Sequence, residues 1–320
     1  MQIFITGASG FVGGAAMRHL IGSGHAVSAM SRSEKSDIAI RAAGATPVRC
    51  DLETVAADHI RGADIIIHAA AFVEQWGPKD AWFKSNVLGT QAVLDAAKNA
   101  GVKRFIHIGS EAALCHGQHL RGVDETYPLA PNSPYPYCAT KAQAEARVSA
   151  ANGQEIETIV LRPRFIWGPG DTTLLPTIEA MARSGGWTWL DHGRARTSTT
   201  HIENLVHAIE LALTAGKPGE AYFILDDGER TLREIISGLA ASRGIKLPDK
   251  SMPSFTADMV GGLCEFAWRT FGINGDPPLT RHAAMVMSRD CVLKGDKARA
   301  GLGYAPVISV GVGLDELKTA

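Results

Sequence analysis

A charged macromolecular partner has little to hold it here. Lys and Arg number 32 against 33 Asp and Glu, a formal net charge of −1, and no basic stripe is visible, so the electrostatic case for nucleic acid or an anionic membrane is missing. Cysteines are few, scattered and odd in number: Cys50, Cys115, Cys138, Cys264 and Cys291, with no Cys-x-x-Cys spacing. That argues against a zinc site and for free thiols in a reducing compartment, so no metal is expected. Long apolar runs are also lacking. The stretch from Phe255 to Phe271 reads as an amphipathic helix with Met259, Leu263, Phe266 and Thr270 on or near one face, but Asp258, Glu265 and Arg269 interrupt it and it is too short to span a bilayer. Ordinary core, a cap over an apolar ligand and a face touching membrane stay open for it. Residues 2 to 6 already read as a strand, so no leader is expected and the cytoplasm is the default location.

What is present is an ordinary globular composition, 45% hydrophobic and 20% charged over 320 residues, enough for one large domain or two lobes. Gln2 to Ile5 is an apolar run that breaks into Thr6-Gly7-Ala8-Ser9-Gly10-Phe11-Val12-Gly13, followed by a helical pattern through Ala16, Leu20 and Ile21. Strand, glycine turn and helix in this order aim backbone N–H groups and a helix N-terminus at a pyrophosphate. The spacing is Gly-x-x-Gly-x-x-Gly, which differs from the commoner dinucleotide fingerprint. His25 to Met30 reads as a second strand ending in Ser31-Arg32, with no carboxylate until Glu34. An acidic residue there would bind the ribose 2′-hydroxyl of NAD, and an arginine accommodates the 2′-phosphate of NADP, so NADP is favoured and NAD stays possible. Pro47 to Arg49 is a third strand, after which Asp51, followed by Leu52, either reaches a base edge or caps the next segment.

Ala63 to His68 is a continuous apolar strand, as in a parallel sheet covered on both faces. It ends in Ala69-Ala70-Ala71, small enough for a cofactor to pass close to the backbone, with His68 read as a packed strand-end residue. An apolar loop, Phe72-Val73-Glu74-Gln75-Trp76, follows. Asn86 opens a helix to about Asn99, and Lys103 to Ile108 forms a fifth strand with Ser110 and Glu111 beyond its end. This alternation predicts an α/β fold, a doubly wound, Rossmann-like parallel sheet with a smaller C-terminal substrate-binding lobe. Tyr137 and Lys141, four residues apart after a Pro-rich run, share one face of a helix's first turns. A fixed ammonium beside a phenol favours its ionised form and lets it exchange protons closer to neutrality than its ordinary pKa of ~10.

Taken in order, Thr6-Gly-x-x-Gly-x-x-Gly13, His68-Ala-Ala-Ala71, Asn86-Val-x-Gly-Thr90, Ser110 and Tyr137-x-x-x-Lys141 resemble the extended short-chain dehydrogenase/reductase family. Thr200-His-Ile-Glu-Asn-Leu205, Gly219-Glu-Ala-Tyr-Phe-Ile224 and Pro277-Pro-Leu-Thr-Arg281 are similar to the branch that holds 3β-hydroxysteroid and sterol-4α-carboxylate dehydrogenases. The resemblance implies that Tyr137 passes a proton to or from the substrate oxygen and Ser110 hydrogen-bonds it. It also implies that Lys141 lowers the phenol's pKa and holds the nicotinamide ribose, that Asn86 relays protons, and that Pro163 touches the cofactor. It implies a dinucleotide-binding part over 1–165 plus 201–227, a substrate lobe over 166–200 plus 228–320, and a possible homodimer. The expected reaction is NADP(H)-dependent interconversion of a secondary alcohol and a ketone on a largely apolar substrate, steroid-like, terpenoid or long-chain. Phe72, Trp76, Glu111, Arg164, Trp187 and Trp268 are the pocket candidates. Nucleotide-sugar epimerases usually carry Tyr-Phe-Asn where this chain has Pro163-Arg164-Phe165, and dehydratases pair two acids where it has Glu111-Ala112. Those enzymes, with tightly bound NAD(P), and a non-catalytic NADP-binding sensor are the alternatives.

Overall fold

The computed structural model describes residues 1–319, apart from the side chain of Lys79. Its centre is built from the short apolar runs. β1 (Gln2–Thr6), β2 (Ala26–Ser31), β3 (Thr46–Arg49), β4 (Ile65–His68) and β5 (Arg104–Ile108) lie in one sheet with strands Glu157–Pro163 and Ala221–Ile224. The order across it is Ala221–Ile224, Glu157–Pro163, β5, β4, β1, β2, β3, and the pairings are parallel. Strand order reverses between β1 and β4, where open sheets of this kind form a ligand crevice at the carboxyl ends. Helices cover both faces over two apolar clusters, one including Ile5, Leu20, Ile67 and Leu205, the other Phe4, Ile66, Leu94 and Phe105. That two-sided burial is why all four residues of β4 are buried rather than alternating.

A second body of structure gathers around Trp167, Trp189, Leu232, Ile235 and Val310. It includes helices Leu174–Arg183, Leu232–Ser242, Ser254–Phe271 and Arg281–Ser288. A four-stranded sheet, Arg230–Thr231, Arg196–Thr197, Cys291–Leu293 and Leu120–Val123, includes a strand from the first part of the chain. The chain then returns to the large sheet: Ala298, Leu302 and Tyr304, expected with the smaller lobe, pack into the cluster of Ile5 and Leu205.

The helix expected to open at Asn86 starts earlier. It begins as Lys79–Trp82, passes through a π-helical turn over Phe83–Leu88 and continues as Gly89–Ala100 to Gly101 at φ 75°. A π turn accommodates one extra residue, which shifts the apolar spacing that would have marked the true start. Helix Ser254–Phe271 falls where the spacing predicts one. Its Met259, Leu263 and Phe266 face outward at 63%, 66% and 65% exposure, while Gly261 faces the start of Arg281–Ser288, where a Cβ would meet the backbone of Thr280 and Arg281 at 3.0 Å. Among the described residues no helix is long and apolar enough to cross a membrane.

Candidate active site

The glycine turn sits where β1 meets the reversal point. Gly7 takes φ +73°, and a Cβ on it would lie 2.8 Å from the Ala70 nitrogen and 2.9 Å from the Ala69 carbonyl carbon. The turn and the end of β4 therefore press backbone to backbone, which only glycine beside small residues allows. A Cβ on Gly13 would meet the Gly7 oxygen at 2.3 Å, so the first turn of helix Phe11–Gly22 is seated directly on the turn. Gly10 precedes that helix with no side-chain cap hydrogen bond among the described residues, which leaves the helix start open to a ligand. A cradle that a single Cβ would fill, at a helix N-terminus, fits a pyrophosphate. Phe11 and Val12 are partly buried in the first helical turn, and Ser9 is exposed at the tip.

At the end of β2, Ser31 donates to the Ser33 carbonyl at 3.1 Å and Arg32 is exposed. Asp51 resolves as a cap: its Oδ1 accepts from the backbone N–H of Glu53 and Thr54 and from the Thr54 hydroxyl at 2.8–3.0 Å. Leu52 turns inward against Gly89. His68 is a buried, packed residue as expected, bonded to Thr6 Oγ1 at 2.8 Å and Thr90 Oγ1 at 3.0 Å.

Ser110 follows β5, and Tyr137 and Lys141 lie on helix Pro136–Ala151, whose first residue is a proline pre-set for a helix start. All three reach the carboxyl edge of the sheet. The electrostatics differ from the expected pair. Burial, with the neighbouring Glu111, pushes the Tyr137 phenol above its ordinary range, and a hydrogen bond with Ser110 pulls it partly back. Lys141 is 4% exposed, and its Nζ donates to the Ile108 carbonyl at 2.8 Å. Burial brings Lys141 itself down to about 8, opposed by Glu145 and Glu111. Asn86, expected as a proton relay, clamps the loop after β4. Its Oδ1 accepts the Phe72 N–H at 2.7 Å, and its Nδ2 donates to the Phe72 carbonyl at 3.1 Å and to Thr140 Oγ1 at 3.2 Å. The π turn positions it for this.

Glu111 and Arg164 are brought to the same place as Ser110. Arg164 Nη1 donates to Glu111 Oε1 at 2.5 Å, and the Ser110 hydroxyl donates to Glu111 Oε2 at 2.8 Å. Phe72 stands edge-on to Trp82 with ring centroids 5.3 Å apart, and the Arg269 guanidinium lies 4.3 Å above the Trp76 ring. Pro163 is buried at the end of its strand. Trp187 is not brought to this group: it is buried in the second body's core, edge-on to Trp189. Trp268, on helix Ser254–Phe271, has its indole N–H buried and without a partner among the described residues.

Two further residues belong to the site. His282, from helix Arg281–Ser288, packs on both Tyr135 and Tyr137 at ring-centroid distances of 5.7 and 5.8 Å, and its Nδ1 pairs with Gln75 Oε1 at 3.0 Å. Burial holds its imidazole down to about 4. The only signal for it in the sequence is its place directly after Pro277-Pro-Leu-Thr-Arg281. A shallow depression of about 430 Å³ lined by Asp64, Arg104 and Glu157 lies at the opposite, amino-terminal edge of the sheet, away from these groups.

Residues 4–254 match the model of the 3-beta hydroxysteroid dehydrogenase/isomerase family. The chain is 38% identical, over its whole length and 96% of the relative, to a 4-hydroxy-2-methyl-3-oxo-4-farnesyl-3,4-dihydroquinoline-1-oxide ketoreductase of Stigmatella aurantiaca. It is 35% identical to a 2-alkyl-3-oxoalkanoate reductase of Stenotrophomonas maltophilia, covering all of this chain and 99% of that one. A UDP-glucuronic acid 4-epimerase from Bacillus cereus, solved with NAD, shares the fold at a TM-score of 0.75 and 21% identity, covering 100% of this chain and 99% of the other.

Proposed function

The chain belongs to the 3-beta hydroxysteroid dehydrogenase/isomerase family, and we propose that within it the protein is an NADP(H)-dependent oxidoreductase interconverting a secondary alcohol and a ketone on a largely apolar substrate. The observation that carries this is the convergence of Ser110, Tyr137 and Lys141 at the carboxyl edge of the sheet that bears the glycine cradle. Gly7, Gly10 and Gly13 hold the pyrophosphate, and Ser31 and Arg32 take the adenosine 2′-phosphate. The exposed guanidinium of Arg32, with no acidic side chain ahead of Glu34, supports NADP over NAD. Ala69 to Ala71 and Pro163 line the path between.

Bound nicotinamide supplies or accepts the hydride. Tyr137 donates its phenolic proton to the oxygen of the ketone being reduced. Because burial and Glu111 favour the protonated phenol, the residue is in its acid form at neutral pH, the form a reduction requires. Ser110 orients the same oxygen. Lys141, titrating at about 8, stands next to return a proton to Tyr137 and to hold the ribose. Phe72 and Trp76 form the apolar wall, which suits the farnesyl and alkyl groups that stand beside the oxo position in the two relatives' names.

NADPH and NADH consumption against steroid ketones, flavanonols, aromatic aldehydes and long-chain 3-oxo acids and esters tests the reading. Saturable turnover of one class with NADPH supports it, and no turnover of any class overturns it. Helices Gly89–Ala100 and Pro136–Ala151 are the homodimer face in this proposal, and light scattering on the purified chain tests that.

A further inference from the structure

Helix Ser254–Phe271 is built inside out. Its charged residues turn towards the protein: Asp258 pairs with Arg289 at 2.7 Å, Glu265 with Arg281 at 2.9 Å, and the Arg269 guanidinium lies 4.3 Å above the Trp76 ring. Ala257 and Gly261 are buried on the same side, Gly261 against the backbone of Thr280 and Arg281. The apolar residues turn the other way. Phe271 at 74% exposure, Phe255 at 67%, Leu263 at 66%, Phe266 at 65% and Met259 at 63% are the five most exposed large apolar side chains among the described residues, and all five stand on this one helix. At about 100° per residue, Phe255, Met259, Leu263 and Phe266 fall within an arc of about 80°. Val260 and Phe271 flank that arc, and Thr256 and Thr270 are the only polar side chains on it or beside it.

A contiguous apolar stripe with no charged residue marks a binding surface. A second copy of the chain fits it poorly. The helix has 18 residues, so it is about 27 Å long and about 10 Å wide, and two stripes face to face bury roughly 550 Å² in total, about half of what the smaller specific dimers need. Two threonines also give a protein partner almost nothing to fix its register. A lipid surface needs neither. It takes a helix with one apolar face lying in its plane and accepts the bulky side chains one by one into the acyl boundary. The charge selects among lipids: with a net charge of −1 and no basic residue on the stripe, the matching surface is a neutral, zwitterionic one. We propose that helix Ser254–Phe271 is an interfacial helix that seats the protein on a neutral lipid surface, with Phe255, Met259, Leu263, Phe266 and Phe271 in the acyl boundary. The helix lies on the bilayer and does not cross it. Its inner side borders the candidate site, through Arg269 on Trp76 and through Arg281 next to His282.

The test is flotation of the full chain on sucrose gradients with extruded vesicles of phosphatidylcholine, alone or mixed with phosphatidylglycerol. Wild type should float with the neutral vesicles, and raising the salt from low to high should change the bound fraction by less than about twofold, because apolar insertion is not screened. Leu263→Asn with Phe266→Asn removes two bulky side chains from the stripe and should weaken partitioning by about 100-fold. Both positions are exposed, so circular dichroism and NADPH affinity should match wild type. Phe255→Asn with Met259→Asn should act in the same way from the other end of the helix. Absence of flotation with neutral vesicles overturns the proposal, as does binding to anionic vesicles alone that high salt abolishes, or flotation unchanged in both variants. A wild-type oligomer that fails to float and that either variant dissociates, seen by light scattering, gives the face to a second copy and overturns it too. Vesicle binding needs no turnover, so the proposal stands or falls apart from the alcohol–ketone reading.

Discussion

Lys141 Nζ donates to the carbonyl oxygen of Ile108 at 2.8 Å, tying the helix of Tyr137 to the strand that leads into Ser110. The buried ammonium is thereby a structural strut as well as a member of the site. The native protein binds its proton more weakly than the unfolded chain does, since burial lowers it from 10.5 to about 8. Below about pH 8 the penalty for the buried charge is at its full value. As pH rises from there towards 10.5, the unfolded chain holds more protons than the native one, so stability rises. Urea titrations at pH 8 and 9.5 should show a gain of about 1.5 kcal/mol in wild type relative to Lys141→Met. Parallel pH dependence in the two proteins would show that Lys141 is not buried as a cation.

Tyr137→Phe keeps the ring that packs on His282 and removes the proton. General acid catalysis of this kind contributes roughly 10²- to 10⁴-fold, so kcat should fall by that factor. NADPH affinity, followed by fluorescence titration, should stay within about twofold, because the glycine cradle at Gly7, Gly10 and Gly13 is separate from the phenol. A Phe variant keeping more than a third of wild-type kcat removes Tyr137 from the chemistry.

His282 and Gln75 close the site from opposite ends of the chain, 207 positions apart. His282→Leu retains apolar bulk but loses both the pairing with Gln75 and the ring contacts with Tyr135 and Tyr137. A hydrogen bond and an aromatic contact are each worth about 1 kcal/mol, so KM for the ketone should rise about tenfold. The proton donor is untouched, so kcat should stay within about threefold. Since burial holds the imidazole neutral down to about 4, the acid limb of the wild-type kcat/KM profile should show no inflection from this residue between pH 5 and 8. An unchanged KM in the variant would place His282 outside the substrate's reach.

The parts of the site that were legible in the sequence are those whose partners are close along the chain. The glycine turn, the apolar runs of β1 and β4 and the Tyr137 to Lys141 spacing are each determined within a dozen residues, and the protein has strand, turn and helix at those places. His282, Gln75 and the Glu111–Arg164 pair were not legible in that way: the pairing over 53 positions needs strands Arg104–Ile108 and Glu157–Pro163 to be neighbours in the sheet, and the one over 207 positions needs the second body to close on the first. The π turn at Phe83–Leu88 hid the true helix start for a different reason: one extra residue shifts a 3.6-residue period without altering composition. Trp187 shows the converse limit, since an aromatic in a Gly-rich stretch reads the same whether it lines a pocket or, as here, packs a core.

His107 is buried in the middle of the sheet, with both ring nitrogens lacking a hydrogen-bond partner among the described residues, and it stacks on His68 at 5.4 Å. Burial, reinforced by Lys141, holds its pKa well below 6.5, and the same causes bring His68 to about 3. Both rings are therefore neutral in the native protein at any pH where it functions. The unfolded chain takes up protons near pH 6.5 that the native one refuses, so the stability these residues contribute is present above that value and is lost as pH falls below it. At pH 5 each such histidine should reduce stability by about 2 kcal/mol relative to pH 8. His107→Phe keeps a stacking ring, removes two unsatisfied polar atoms and abolishes one of the two protonation penalties. Urea unfolding should find the variant no less stable than wild type at pH 8 and about 2 kcal/mol more stable than wild type at pH 5. The comparison isolates His107 because His68, with its bonds to Thr6 and Thr90, is present in both proteins. Identical pH slopes would mean that His107 is protonated in the native state and that the core beneath the site is wetter than its packing shows.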